Sequence, residues 1–135
     1  MELKNKSNEN LVAANLLIQN GKYASSVHCA YYSCLQLIKH IINKYVGKSY
    51  KMQDGEAFHH RKSSHGYLLN EIVKNLNQKN GVNFANTVRR AFFELKDDRL
   101  KADYQNISIN KIEAEASYLI SNQVQNILKS VYKIP

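Results

Sequence analysis

The sequence predicts an all-α fold, an up-and-down antiparallel bundle of four to five helices that forms one domain over residues 1–135. The only proline is the last residue, so no internal proline interrupts a helix. Five glycines divide the chain into a few long segments. Within these segments apolar residues recur at alternating spacings of three and four, as one face of an α-helix requires.

The first two helices are predicted on either side of Gly21. We expect a short helix to begin after Ser7 as its N-cap and to end near Gly21, with an apolar face of Leu11, Ala14, Leu17 and Ile18. A second helix begins at Tyr23 and has the longest apolar stripe of the chain: Val27, Ala30, Tyr31, Cys34, Leu35, Ile38, Ile41, Ile42 and Tyr45. Residues 20–22 are therefore predicted to form a tight turn between the two helices.

The segment between Gly47 and Lys62 shows little periodicity, and we expect it to be an exposed basic loop. It contains Lys48, Lys51, His59, His60, Arg61 and Lys62. Such a loop either binds the phosphates of a nucleic acid or is simply solvated. Its histidines, together with His65, lack the spaced carboxylate or cysteine partners of a zinc site, so no metal is predicted.

Three further helices complete the predicted bundle. Ser63 or Ser64 caps the third, which ends before Gly81 and whose apolar face is Leu68, Leu69, Ile72, Val73 and Leu76. Asn83 opens the fourth, with a stripe of Phe84, Val88, Ala91, Phe92, Leu95, position 99 and Ala102. Ser108 caps the last, with a stripe of Ile109, Ile112, Ala116, Leu119, Ile120, Val124, Ile127 and Val131.

Composition and motifs exclude several classes of protein. The 19 Lys+Arg against 11 Asp+Glu give a formal charge of +8, which suits an anionic partner but alone indicates only solubility and non-specific binding. No apolar stretch approaches the ~18 residues of a membrane span, and no signal peptide is visible.

Cys29 and Cys34 point about 140° apart on a helix and cannot form a disulfide with each other. We therefore expect a cytoplasmic protein with reduced thiols and no cofactor, since nucleotide-binding, hydrolase and zinc-protease motifs are absent from the sequence.

Arg99 breaks the pattern of the fourth helix, because the spacing assigns its position to an interface between helices. Burial of an unpaired guanidinium is costly, so Arg99 requires either an ion pair or a bound anion. Asp103, one turn later, offers an i,i+4 pair. Both alternatives remain open from the residues alone.

Three residues of the second helix are candidates for the same site. Tyr31 belongs to the apolar stripe and Tyr32 flanks it, so the pair is either core or part of a polar site. His28 lies four residues before Tyr32 on the same flank. It can serve as a general base or simply lie at the edge of the helix.

These segments together resemble the HEPN superfamily of small prokaryotic helical domains. Residues 21–32 are similar to its G-x-Y-x-x-A-V-x-x-A-Y-Y segment, and His65-Gly66 resembles the start of its third helix. Residues 99–104 reproduce the R-x-x-A-D-Y ending of its fourth helix. The resemblance implies a four- or five-helix bundle that dimerises with two fourth-helix arginines facing a shared cleft.

Many HEPN proteins are toxins, and the resemblance also implies a chemistry. In the catalytic branches an R-x(4–6)-H motif cleaves RNA without a metal, often under the control of a minimal nucleotidyltransferase. Here Tyr104 stands where that histidine is expected. Arginine can stabilise the charge on the oxygens of the phosphorane. Tyrosine, with a reference pKa near ~10, is a poor proton acceptor unless Arg99 or Lys101 stabilises its phenolate, and it can instead donate a hydrogen bond to phosphate.

The resulting candidate site has a catalytic group and an anion-binding group. The catalytic residues are Arg99, Asp103 and Tyr104, and the anion-binding residues are Lys101, Tyr32, His28, Lys48, Lys51, Arg61 and Lys62. The first hypothesis is a toxin-like, metal-independent endoribonuclease that acts on RNA as a homodimer. The alternative is a non-catalytic module that binds a nucleotide or a nucleotidyltransferase antitoxin through the same cleft. General nucleic-acid binding by the basic loop is a third hypothesis.

Overall fold

The computed structural model describes residues 2–59, 63–80 and 82–135. These residues form six α-helices and a five-residue π-helical segment, Ile42–Val46, and none of them lies in a strand. The α-helices are α1 (Glu2–Gln19), α2 (Tyr23–Ile41), α3 (Tyr50–His59), α4 (Ser64–Asn80), α5 (Val82–Tyr104) and α6 (Lys111–Tyr132). The predicted helical bundle is confirmed, with α3 as an additional helix. No helix in the described ranges is long and apolar enough to cross a bilayer.

Helix α2 is the central element of the bundle, since it packs against α1, α4, α5 and α6. Its predicted stripe is buried: Val27, Ala30, Tyr31, Cys34, Ile38 and Ile41 are each at most 1% exposed. Burial of one large apolar side chain contributes about 1.5–3 kcal/mol, so this helix anchors the fold. The stripe continues to the buried Ile42 of the π-helical segment, whereas Tyr45, also predicted to belong to it, is 36% exposed. The segment is followed by Gly47 in the left-handed conformation at φ +82°.

Ser7 is not an N-cap, and this prediction was wrong because α1 begins at Glu2. Ser7 is buried in the middle of α1, where its Oγ donates to the Ser33 carbonyl and the Ser33 Oγ donates to the Ser7 carbonyl, each at 2.6 Å. The two hydroxyls are thus satisfied across the α1–α2 contact. The predicted turn is confirmed, with Gly21 at φ +72° and the Lys22 N–H donating to the Leu17 carbonyl at 2.8 Å.

The segment predicted to be an exposed basic loop contains helix α3, so that prediction was wrong. Gln53 and Ala57 are buried against the bundle. Lys48 Nζ lies 2.8 Å from Glu56 and 3.1 Å from Glu71, which ties the start of this segment to α4. The periodicity is weak because a short helix that buries two side chains has almost no apolar stripe.

Helices α4 and α5 largely follow the prediction. The Ser63 Oγ accepts from the Gly66 N–H at 3.1 Å, so Ser63 caps α4. Helix α5 begins at Val82, one residue before the expected Asn83. Its buried face starts at Ala85, whereas Phe84 is 42% exposed, and continues through Val88, Phe92 and Leu95 to Arg99.

The last helix differs from its prediction in its cap and in its buried face. Asn110, not Ser108, is the N-cap, and it forms a capping box with Glu113. The predicted apolar residues Ile112 and Leu119 are 77% and 63% exposed, and Ala116 is also exposed. The buried face contains Val124, as predicted, together with five residues outside the predicted stripe: Ala114, Ser117, Ser121, Gln125 and Leu128.

Small and polar residues face α2 from α6 because they form hydrogen bonds there. The Ser121 Oγ donates to the Ala30 carbonyl at 2.8 Å, and the Gln125 Nε2 donates to the Ser33 Oγ at 2.6 Å. Cys34 lies 3.1 Å from the Ser121 Oγ, and burial raises the pKa of its thiol to about 12. These contacts fix the position of α2 against its neighbours.

Replacement of the α6 cap tests this assignment. Asn110→Ala is expected to lower the free energy of unfolding by about 1 kcal/mol, because the Glu113 N–H loses the Asn110 side-chain oxygen as its acceptor. Ser108→Ala, at an exposed position outside the cap, is expected to change it by less than about 0.5 kcal/mol. Urea unfolding measures both values, and a larger loss in Ser108→Ala would contradict the assignment.

Candidate functional site

Arg99 is buried near the C-terminal end of α5 in a cage of tyrosine rings. Its side chain is 9% exposed. The guanidinium carbon lies 4.9 Å from the ring centroid of Tyr31, 5.7 Å from that of Tyr32 and 5.6 Å from that of Tyr104. Aromatic faces attract a cation, and this attraction strengthens when water is excluded. The cage therefore holds a charged group inside the bundle.

The hydrogen-bonding capacity of Arg99 is only partly used. Nη1 donates to the Tyr32 hydroxyl at 3.4 Å and lies 3.8 Å from the Asp103 carboxylate, too far for a hydrogen bond. Nε is buried, and no described residue accepts its hydrogen bond. Because guanidinium has five N–H donors, the expected i,i+4 ion pair exists but leaves donors that fit an incoming anion.

Asp103 and His28 form a second pair beside the cage. The His28 Nδ1 lies 2.9 Å and 3.1 Å from the two carboxylate oxygens of Asp103. The imidazole also stacks at a tilt against Tyr32, with 4.6 Å between ring centroids. The Asp103 side chain is 19% exposed and the His28 side chain 48%. The pair therefore lies between the buried Arg99 and the protein surface. The structure thus brings the predicted residues Arg99, Asp103, Tyr104, Tyr32 and His28 together.

Tyr31 and His65 form a short hydrogen bond on the other side of the cage, at 2.6 Å between the hydroxyl and Nδ1. Burial raises the pKa of Tyr31 far above its usual range. Burial also lowers the pKa of His65, and the positive charges of Arg99, Lys96 and Lys39 lower it further. The phenol therefore donates and the neutral imidazole accepts, which places the imidazole proton on Nε2.

Sequence reasoning assigned no role at this site to His65, Lys39 or Lys96. From the sequence, His65 is only a rejected metal ligand and a residue at the start of the third helix. It lies at the start of α4, outside the apolar stripe, so helix periodicity gives it no role. His65 lies near Tyr31 and Arg99 only because α2, α4 and α5 pack together. The spacing of apolar residues along the sequence does not predict such contacts between helices.

Tyr104 and Lys101 lie in different environments although they are close in sequence. Tyr104 is 73% exposed, and its ring faces the guanidinium of Arg99. Lys101 is exposed but lies two residues beyond Arg99, which is the opposite side of a helix. Its charge instead acts on Asp98, whose carboxylate accepts from the Ser117 Oγ at 2.9 Å. The structure does not bring Lys101 into the cage.

Of the remaining basic residues predicted to bind an anion, the structure describes Lys48 and Lys51. The charge of Lys48 is opposed by two carboxylates, and its hydrogen bond to Glu56 raises the pKa of the ammonium group. Lys51 is exposed on α3, and contact between it and phosphate remains a prediction. The other two predicted ligands of this segment, Arg61 and Lys62, lie outside the described residues, as does His60.

An open cleft between α2 and α5 adjoins the cage. Its volume is about 330 Å³, within the usual range of small-molecule sites, and it is lined by Ala24, Ser25, His28, Cys29, Ala102 and Asp103. The imidazole of His28 and the carboxylate of Asp103 form its polar wall. Across the ranges that the structure describes, no three His, Cys, Asp or Glu side chains form a group suited to a metal.

Comparison with known proteins gives one match. A protein-family model for the HEPN domain matches residues 1–132. No curated protein and no solved structure is significantly similar to the chain. The match spans all six helices, so it includes Arg99, Asp103, Tyr104 and the α2 residues that surround them.

The Tyr31–His65 hydrogen bond predicts a pH dependence of stability. Because the pKa of His65 is lowered in the folded protein, the unfolded chain binds more protons below about pH 6.5. The free energy of unfolding is therefore fully retained above about pH 6.5 and decreases as the pH falls through the folded pKa. In His65→Asn, an amide oxygen replaces Nδ1 as the acceptor and does not titrate.

We expect His65→Asn to lose less stability than the wild type between about pH 7 and about pH 5, as measured by urea unfolding at each pH. Part of the decrease will remain, because burial also lowers the pKa of His40. Equal decreases in the variant and the wild type would contradict this account of His65.

Proposed function

The chain belongs to the HEPN domain family, and from this premise we propose that it is a toxin-like, metal-independent endoribonuclease that acts as a homodimer. The observation that carries the proposal is the buried guanidinium of Arg99, whose Nε has no acceptor among the described side chains and backbone groups. A buried donor without a partner is costly, and a phosphate oxygen that reached Nε by displacing the exposed ring of Tyr104 would satisfy it. We also propose that residues 1–135 act as one domain in the cytoplasm.

Cleavage of RNA by its own 2′-hydroxyl requires stabilisation of the charge that develops on the phosphate oxygens. A guanidinium with several free N–H donors provides this stabilisation in a fixed geometry. The tyrosine cage supports the role, because it limits the rotation of Arg99 and surrounds it with low-dielectric groups. The exposed hydroxyl of Tyr104 is suited to donate a hydrogen bond to the same phosphate.

Exposed apolar side chains on α5 support the proposed homodimer. Phe93 is 53% exposed and Tyr104 is 73% exposed, and Leu100 between them is partly exposed. These three residues lie within about 40° of one another around the helix, so they form one stripe. A self-complementary apolar stripe is typical of a two-fold symmetric interface, and pairing there would bring two Arg99 sites near each other.

A second candidate function follows from the identity of residue 104. Because tyrosine stands where the catalytic branches have histidine, the same Arg99 site can bind phosphate without turnover. The protein would then be a module that binds a nucleotide or a minimal nucleotidyltransferase antitoxin. It would be stabilised thermally by the nucleotide or by the partner, and RNA would remain intact.

Replacement of Arg99 tests the proposed activity. The wild-type protein, incubated with structured RNA and a chelator, is expected to produce 2′,3′-cyclic phosphate ends. Arg99→Ala is expected to reduce the rate about 100-fold or more, because the phosphate loses its main charge-stabilising ligand. Arg99→Lys, which keeps the charge but loses the planar fork, is expected to fall in between.

Arg90→Ala is the matched control, since Arg90 is an exposed arginine on the opposite face of α5 and its loss changes the net charge equally. Its rate is expected to remain within about two-fold of the wild type. Intact RNA at a large excess of wild-type protein would contradict the endoribonuclease. Thermal stabilisation by a nucleotide in that same protein would favour the second candidate.

A further inference from the structure

The histidine that is missing from position 104 has a spatial counterpart on another helix. His28 of α2 reaches the end of α5, where its Nδ1 lies 2.9 Å from Asp103. Two routes connect it to Arg99. One passes through the Asp103 carboxylate, 3.8 Å from Nη1, and the other through Tyr32, whose hydroxyl is 3.4 Å from Nη1.

Asp103 determines which nitrogen of His28 can accept a proton. A carboxylate bound at Nδ1 holds the proton on that nitrogen, so the lone pair of the neutral ring lies on Nε2. The carboxylate also stabilises the imidazolium that forms when Nε2 takes up a proton. This is the arrangement that a general base requires, and the chain forms it between two residues 75 positions apart.

The His28 side chain lines the cleft between α2 and α5. The His28 side chain is 48% exposed, and His28 and Asp103 together form the polar wall of that cleft. The charged and titratable groups around the ring are Asp103 and Arg99 of α5, and Tyr32 and Cys29 of α2. A substrate phosphate bound to Arg99 would therefore lie near an accessible imidazole.

His65, the other histidine near Arg99, is not suited to this role. Its Nδ1 already accepts a hydrogen bond from Tyr31, so its Nε2 carries the proton and has no lone pair to offer. Burial also lowers its pKa, which makes the ring a weaker base. His28 has the opposite tautomer and a more exposed position.

We propose that His28 is the general base of the RNA-cleaving reaction and that Asp103 is its positioning residue. This assignment rests on the proposed endoribonuclease function. Nε2 removes the proton of the 2′-hydroxyl, and the 2′-oxygen attacks the adjacent phosphorus. The bond from phosphorus to the 5′-oxygen breaks, and that oxygen takes a proton from water. The products are a 2′,3′-cyclic phosphate and a free 5′-hydroxyl, and the imidazolium returns its proton to solvent.

His28→Asn isolates the proton acceptor from the structural contact. The amide nitrogen of asparagine replaces Nδ1 and can still donate to Asp103, whereas Nε2 is lost. We expect kcat to fall about 100-fold or more while binding of an uncleavable 2′-O-methyl RNA changes less than about two-fold. His59→Asn, which removes an exposed histidine on α3, is the control and is expected to retain wild-type activity.

The pH dependence of the rate separates His28 from Tyr104. The wild-type rate is expected to rise with pH, because a general base acts only in its unprotonated form, and this rise is expected to disappear in His28→Asn. Tyr104→Phe is expected to weaken RNA binding but to keep the rise. In Asp103→Asn, kcat is expected to decrease more than KM changes, because the imidazole loses its orientation.

His28→Ala provides a second test in case His28→Asn does not fold. Added imidazole is expected to restore part of the rate of His28→Ala, which a structural role would not allow. Wild-type kcat in His28→Asn, or loss of the pH dependence only in Tyr104→Phe, would overturn the assignment and leave the endoribonuclease intact. Absence of cleavage by the wild type would overturn both.

Discussion

The enclosure of the Arg99 guanidinium by tyrosine rings is the constraint on which the functional end of the bundle depends. Two of the rings come from α2, so the cage exists only while α2 lies close to the last turns of α5. The Ser7–Ser33 and Ser121–Ala30 hydrogen bonds hold α2 in that position from the other side. Buried polar contacts in the core thus support a buried charged group beside the cleft.

In the proposed reaction, the chemistry of a HEPN arginine–histidine motif is shared between two helices. Arg99 and Tyr104 on α5 would supply charge and hydrogen bonds for a phosphate, and His28 on α2 would supply the imidazole. Asp103 links the two helices through its carboxylate. Replacement of the motif histidine by tyrosine therefore does not remove an imidazole from the vicinity of the arginine.

Much of the fold was predictable because a regular spacing of apolar residues indicates which face of a helix is buried. The stripes of α2, α4 and α5 were of this kind, and the spacing on α5 also identified Arg99 as a buried cation. Helix α3 and the buried face of α6 were not predictable in this way. The first depends on ion pairs of Lys48 with Glu56 and Glu71, and the second buries serines and a glutamine through hydrogen bonds to α2. At the site, the His28–Asp103 and Tyr31–His65 contacts join distant segments, which periodicity within one helix does not reveal.

The central claim is that the unsatisfied Nε of Arg99 binds a phosphate oxygen of RNA. The most direct measurement is the NMR signal of the Arg99 Nε–H group during titration with 2′-O-methyl RNA, which cannot be cleaved. Because a charge-assisted hydrogen bond deshields its proton, the account predicts a downfield shift of this signal, with the signal of Arg90 unchanged. Binding of the RNA with no change in the Arg99 signal would contradict the account.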